Sequence, residues 1–318
     1  MLREPPGEND PMRQRSRAWI RDVWLGAVSA GLATFIAAPV HAAQPPAHET
    51  VPDARSFIDI PYAQVDGETL LLDLHLPAGP GRPPLVVYLH GGAWRQGDKS
   101  EVPDFLVERG FAVAAPNFRS SDVARFPANV HDIKAGIRFL RANADRYGYR
   151  ADRIAVTGSS SGGHLAALVG VTNGHPELEG TIGEHLDQSS SVQAFIMWVG
   201  ASNLSTILSQ STPEGLAIRI PALRSLLGAM PDEVPGLARL ASPVEHVDAE
   251  DPPALILHGD QDRTIPVNQA LELEAAYRRA GRVAELVIIN GAGHVAQPFF
   301  SGPATDRAVE FLHRTIGR

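Results

Sequence analysis

The stretch Thr157-Gly158-Ser159-Ser160-Ser161-Gly162-Gly163-His164 decides how this sequence is read. It follows the apolar run Arg153-Ile154-Ala155-Val156 and precedes Leu165-Ala166-Ala167-Leu168-Val169, a run with helical composition. Strand, tight turn and helix in that order carry the pattern G-x-S-x-G from Gly158 to Gly162, with Ser160 at its centre, which is the pattern of a nucleophile elbow. So sharp a turn strains its central residue, and the strain is tolerable when the flanking positions have almost no side chain. The hydroxyl then stands at a helix N-terminus, where backbone N–H groups and the helix dipole favour developing negative charge. The rival reading, a Ser- and Gly-rich turn without chemistry, does not call for a strand before it and a helix after it.

On either side of this turn, apolar runs and helical periodicities alternate. Pro84 to Leu89, Phe111 to Pro116, Val192 to Val199 and Ala254 to Leu257 are apolar throughout, as buried parallel strands are, and Glu285 to Ile289 reads as a further strand. Ser56 to Tyr62 alternates loosely. Thr69 to Leu76 puts Leu70, Leu72, Leu74 and Leu76 on one face and Leu71, Asp73 and His75 on the other, which predicts an antiparallel edge with one solvated side. Helices are expected over residues 128–147, 267–280 and 304–316. The α/β alternation predicts a mostly parallel, doubly wound sheet with helices on both faces. In such sheets ligands sit beyond the carboxyl ends of the strands. Gly174 to Ser191 reads as a surface loop. Residues 201–247 break the rhythm with Pro213, Pro221, Pro231, Pro235 and Pro243, and are expected to form a lid, an acyl-pocket wall or a packed excursion.

At 318 residues and 44% hydrophobic content the chain can bury a large core, and one domain over residues 55–318 is expected. A formal charge of −8 with interspersed signs argues against a nucleic-acid surface. The absence of cysteine excludes disulfides, metal-thiolate sites and a cysteine nucleophile. Histidines 131, 175, 185 and 246 lack metal-ligand spacing, so no metal is assigned. Arg13, Arg15, Arg17 and Arg21 precede an uncharged stretch from Val23 to Val40, and Val40-His41-Ala42 offers small residues at the positions a signal peptidase reads. Residues 1–42 are therefore expected to be an export signal, with Met12 as an alternative start and an uncleaved membrane anchor as the rival reading. The Pro-bearing segment 43–54 is expected to be a linker. A periplasmic or extracellular mature chain would stay acidic, near −9, because the removed segment holds five Arg and four Asp or Glu residues.

A serine hydroxyl is a poor nucleophile at neutral pH, so it needs a base, and the base needs an orienting acid. After the strand at 254–257 comes His258-Gly259-Asp260-Gln261-Asp262; after the strand at 285–289 comes Asn290-Gly291-Ala292-Gly293-His294. A histidine at the tip of a glycine-rich loop can swing over the elbow, which makes His294 the candidate base. Asp260 and Asp262 are candidate acids, and Asp262 is favoured because the longer turn lets its carboxylate reach the His294 loop. His90-Gly91-Gly92-Ala93-Trp94 follows the strand at 84–89, where glycines let backbone N–H groups approach a substrate oxygen. His90 is expected to brace this loop, His164 to pack against the sheet, and Trp94 and Trp198 to line an acyl pocket or the core.

The order Ser, Asp, His, with G-x-S-x-G, H-G-x-x-D and a late Gly-His, resembles the α/β-hydrolase superfamily. HGGAWRQGDK (90–99), residues 126–141, GSSSGGHLAAL (158–168), ASPVEH (241–246) and PPALILHGDQD (252–262) resemble the feruloyl-esterase domains of bifunctional xylanases and related small carboxylesterases. The resemblance implies an α/β-hydrolase fold of about eight strands, with Ser160, Asp262 and His294 as the catalytic triad. It implies oxyanion donors on Gly92, Ala93 and Ser161, with Gly91 as an alternative to one of them, a small-molecule ester substrate and no cofactor. Many relatives carry Ala where Ser161 stands, a change of little consequence if the donor is the backbone N–H. Rival functions are an amidase, formamidase or small peptidase using the same triad, and a non-catalytic binding protein on the same scaffold. Neither oligomeric state nor the mobility of residues 201–247 is legible.

Overall fold

The computed structural model describes residues 54–295, 299 and 301–317, so the expected export signal and all but the last residue of the expected linker lie outside the described residues. Eight strands form one sheet in the order β1-β2-β4-β3-β5-β6-β7-β8. They are β1 (Arg55–Val65), β2 (Glu68–Leu76), β3 (Pro84–Leu89), β4 (Ala112–Pro116), β5 (Arg150–Ser159), β6 (Ala194–Trp198), β7 (Ala254–Gly259) and β8 (Ala284–Ile289). β2 runs antiparallel to both β1 and β4, and every other neighbouring pair is parallel. Helices α1 (Asp104–Glu108) and α10 (Pro303–Thr315) pack on one face; α2 (Ala128–Ala142), α4 (Ser161–Gly170) and α9 (Asn268–Arg279) pack on the other. The short α3 (Ala144–Tyr147) and α5 (Pro176–Glu179) complete the chain up to β6.

Double coverage explains the unbroken apolar runs. In β3, Leu85, Val87 and Leu89 enter the core beneath α2 and α4, while Val86 between them enters the core beneath α10. β7 repeats the arrangement, with Ala254 and Ile256 on one side and Leu255 and Leu257 on the other. Neither strand has a solvated face, so neither has a polar position to alternate with.

β2 departs from the expectation of one solvated face. Leu70, Leu72, Leu74 and Leu76 are buried as the alternation requires, but Asp73 opposite them is only 2% exposed. Lys99 reaches over that face and places its Nζ 2.8 Å from Asp73 and 2.9 Å from Asp59, while the Asp59 N–H donates to Asp73 at 2.9 Å. A buried carboxylate is tolerated because it is paired. The charged residue in the alternation marks an ion pair rather than water.

Residues 201–247 form α6 (Ile207–Gln210), α7 (Pro213–Leu227), α8 (Pro235–Leu240) and a 3-10 turn at Pro243–Glu245. α7 is anchored near both ends. Thr212 caps it by accepting from the Gly215 N–H at 3.1 Å and donates to the Arg263 carbonyl at 3.1 Å. At the other end Ser225 donates to Asp122 at 2.7 Å, and the Leu226 carbonyl accepts from Phe126 N–H at 2.9 Å. The helix thus spans from the loop after β7 to the segment that follows β4.

Candidate active site

Strand register gathers the candidate residues. Leu89 pairs with Gly158, Ser159 with Trp198 and Gly259 with Ile289, so β3, β5, β6, β7 and β8 deliver their following loops to one edge of the sheet. Ser160 sits between β5 and α4 at φ 57°, ψ −121°, a conformation costly for any residue with a side chain. Its N–H donates to the Trp198 carbonyl at 2.9 Å, which fixes the turn to β6. The glycines of the motif are required by contact. A Cβ on Gly158 would lie 2.5 Å from the Gly162 carbonyl carbon, and one on Gly162 would lie 2.1 Å from the Leu89 oxygen.

The structure brings Ser160, His294 and Asp262 together. His294 Nε2 is 2.9 Å from Ser160 Oγ, and His294 Nδ1 is 2.7 Å from Asp262 Oδ2. Asp262 is saturated with donors: its Oδ1 also accepts from the N–H groups of Thr264 at 2.8 Å and Ile265 at 2.9 Å. His258 completes the set, its Nε2–H lying 3.3 Å from Asp262 Oδ2 and 2.9 Å from the Ile265 carbonyl. Burial alone would raise the Asp262 carboxyl. The hydrogen bonds from His258 and His294, the attraction of the His294 ring and the Ile265 N–H outweigh it and hold the group well below the usual carboxylate range. Asp260, the other candidate acid, turns away and accepts the Gly291 N–H at 2.7 Å, a turn-forming contact.

The His90–Trp94 segment lies against the elbow, since a Cβ on Gly91 would come within 3.5 Å of Ser160 Cβ. Gly92, Ala93 and Trp94 have φ of 99°, 56° and 61°, three left-handed residues in succession of which only the first is glycine. The Gly92 carbonyl is taken by the N–H groups of Arg95 and Gln96 at 3.0 and 3.1 Å. The N–H groups of Gly92, Ala93 and Ser161 have no protein acceptor among the described residues. His90 braces the segment by stacking on Phe118 at 4.3 Å, with its Nδ1–H donating to the Gly91 carbonyl at 2.9 Å.

Trp94 belongs to the core, at 1% exposure. Its Nε1–H donates to His164 Nδ1 at 3.0 Å, so His164 carries its proton on Nε2, which donates to the Ala241 carbonyl at 2.7 Å. His164 therefore does more than pack against the sheet: it couples the His90–Trp94 segment to the end of α8. Burial pushes its pKa down to about 4, which keeps it neutral in this role.

A model of the BD-FAE family matches residues 72–277, a span that contains the elbow, the His90–Trp94 segment and Asp262. The chain belongs to the BD-FAE family. Its fold is that of the α/β-hydrolase esterases among solved structures. It is similar to Esterase LipC of Mycobacterium tuberculosis, at 32% identity over 72% of this chain and 57% of that protein. It therefore spans little more than half the length of that relative. Among solved structures it is similar to a truncated carbohydrate esterase from gut microbiota, with a TM-score of 0.75 and 30% identity over 84% of this chain and 97% of that one. It is similar also to esterase Est2 of the planctomycete Thermogutta terrifontis, with a TM-score of 0.64 and 27% identity over 83% and 93% of the two chains.

Beside the elbow of this BD-FAE chain lies an apolar cavity of about 30 Å³, walled by Tyr88, Phe105, Trp198, Val199, Val295 and Phe299 together with Ser159. Trp198 is thus a cavity wall, held by its Nε1–H donating to Thr157 Oγ1 at 3.0 Å. Val199 and Val295, the latter next to His294, have φ of 44° and 51°, rare for β-branched residues. Such strain persists where surrounding structure enforces it. Among the described residues no group of three or more His, Asp or Glu side chains is placed to hold a metal ion, and no helix is long and apolar enough to cross a membrane. Motif spacing assigns no role to His258, although it stands four residues before Asp262, and only packing to His164.

Proposed function

We propose that this chain is an exported serine hydrolase that cleaves carboxylic esters through an acyl-enzyme. The observation that carries the reading is the bridge His294 makes between Ser160 at 2.9 Å and Asp262 at 2.7 Å. An ionised carboxylate only accepts hydrogen bonds, so His294 Nδ1 holds the ring proton and the Nε2 lone pair faces the Ser160 hydroxyl. Ser160 Oγ attacks the ester carbonyl as Nε2 takes its proton, and Asp262 stabilises the imidazolium. The carbonyl oxygen, now negative, is received by the free N–H groups of Gly92, Ala93 and Ser161. His294 returns the proton to the departing alkoxide; it then deprotonates a water, which attacks the acyl-enzyme and releases the acid.

The esterase relatives support ester rather than amide substrates. The small cavity beside Ser159 favours a short acyl group, and Est2 itself has been solved with propionate and with butyrate bound. α7, held near both ends, serves as a wall of the site. Export rests on the Arg-led apolar segment at residues 13–42.

The test is hydrolysis of p-nitrophenyl acetate, butyrate and octanoate by the wild type and by Ser160→Ala. Turnover that falls with acyl length and vanishes in a folded Ser160→Ala variant is expected; near-normal turnover in that variant would refute the assignment. Faster cleavage of formyl-kynurenine than of any ester would favour the amidase reading instead. Cell fractionation tests export, which predicts a mature chain shortened by about 42 residues outside the inner membrane.

A further inference from the structure

Arg219 stands where the fold least tolerates a free cation. The inward face of α7 is Gly215, Arg219, Ala222, Leu223, Leu226 and Leu227, and Arg219 is the only charged residue on it. The side chain is 1% exposed, and neither Nε nor Nη1 has a hydrogen-bond partner. The other buried Lys and Arg side chains among the described residues each have a carboxylate partner, although Arg138 Nε is also unpaired. Lys99 pairs with Asp59 and Asp73, Lys134 with Glu179, and Arg138 donates to Glu179 and to the Ile182 carbonyl. A buried cation without a paired carboxylate is costly, so the two unpaired nitrogens call for a hydrogen-bond partner that the protein does not supply.

Its surroundings include the buried Trp94 ring and the triad acid Asp262. The guanidinium carbon lies 5.6 Å from the centroid of the Trp94 ring, in the same segment that offers the Gly92 and Ala93 N–H groups. A guanidinium that uses its face on an aromatic ring keeps its in-plane N–H donors free. Asp262 is close enough for its charge to offset part of the burial that pushes Arg219 down to about 10, a value that leaves it cationic at neutral pH. Asp262 cannot be the hydrogen-bond partner, because His294, His258, Thr264 and Ile265 already occupy it.

We propose that Arg219 receives a carboxylate of the substrate, so that the preferred esters carry a second, free carboxyl group. The proposal rests on the ester-hydrolase reading above and adds the class of ester. A guanidinium matches a carboxylate in charge and in the geometry of its donors, and the water-poor environment of this one strengthens the pair.

The test compares matched esters. p-Nitrophenyl hemiglutarate against p-nitrophenyl pentanoate places the charge on the acyl half, and 4-acetoxybenzoate against its methyl ester places it on the alcohol half. The wild type should favour the anionic member of one pair by about tenfold or more in kcat/KM, the scale of one charge-assisted hydrogen bond. In Arg219→Met that ratio should collapse towards one, and Arg219→Lys should recover part of it. Preference for the neutral ester in both pairs would overturn the proposal, a result the wild type gives without any variant. A preference for the anionic ester that survives Arg219→Met would overturn it equally. Failure to cleave any of the four esters would instead strike at the hydrolase reading itself.

Discussion

Replacing Asp262 by Asn tests the site at the residue with most partners. The carboxylate accepts from two backbone N–H groups on Oδ1 and from two histidines on Oδ2. Asparagine can keep its carbonyl at the Oδ1 position and satisfy Thr264 and Ile265, which leaves its NH2 where Oδ2 was, against His294 Nδ1. The ring must then accept there and carry its proton on Nε2, 2.9 Å from a Ser160 hydroxyl that needs a lone pair. The base is lost and the imidazolium loses its counter-charge together. A change of this kind lowers kcat by about 10⁴-fold, or about 5 kcal/mol of barrier. The assay is kcat and KM on p-nitrophenyl acetate, with thermal melting to confirm the fold. Asp260→Asn is the control: its oxygen serves one exposed Gly291 N–H, a role Asn can fill, so it should stay within about threefold of wild type. Activity of Asp262→Asn within tenfold of wild type, or an equal loss in Asp260→Asn, would refute the reasoning.

Three further outcomes follow from contacts elsewhere. His164→Phe leaves the Trp94 indole N–H and the Ala241 carbonyl unpaired, so it should destabilise the protein by about 2–4 kcal/mol in urea titrations and lower kcat by loosening the His90–Trp94 segment. Because the folded pKa of His164, about 4, lies below its unfolded value of 6.5, the stability it confers is complete above 6.5. That stability falls as pH drops towards 4, so wild-type melting temperature should decline across that window more than that of the variant. Gly162→Ala would force its Cβ to 2.1 Å from the Leu89 oxygen and 2.5 Å from the His90 oxygen, both backbone. The strand end and elbow must separate, and a displacement near 1 Å should cost about 100-fold in kcat/KM on p-nitrophenyl acetate. Asp251 has its pKa pushed up to about 7 by burial, so the unfolded chain loses this proton first and stability declines as pH rises from 3.8 to 7. Asp251→Asn should raise the melting temperature at pH 8 more than at pH 4, and an equal effect at both would contradict the assignment.

The parts of this fold that can be read in sequence are those where a periodicity ends in a residue of restricted choice. The elbow is legible because Gly158 and Gly162 sit where no Cβ fits, between an apolar strand and a helix. His294 and the Asp260/Asp262 pair are legible because they follow apolar runs whose ends the sheet aligns. Choosing between the two aspartates is a matter of where each side chain turns. Spacing favours Asp262, and the structure adds that Asp260 is spent on Gly291. What stays hidden is long-range pairing. Asp73 reads as a solvent-facing position until Lys99, 26 residues on, is seen to cover it. His164 reads as a packing residue because its partners, Trp94 and Ala241, lie 70 and 77 residues away. Arg219 had a local signal, a charge at the buried spacing of Gly215, Leu223 and Leu226, but proline-broken periodicity in residues 201–247 obscured which face of α7 turns inward.

The most direct test of the account is covalent. A fluorophosphonate reacts with a serine only where a base has activated it, so the intact mass of the treated protein should rise by one phosphonyl group. The modified peptide should contain Ser160, and labelling should disappear in Ser160→Ala and fall sharply in His294→Ala. A folded, unmodified protein, or a label carried by Ser159 or Ser161 with Ser160 untouched, would contradict the claim that the elbow presents an activated nucleophile.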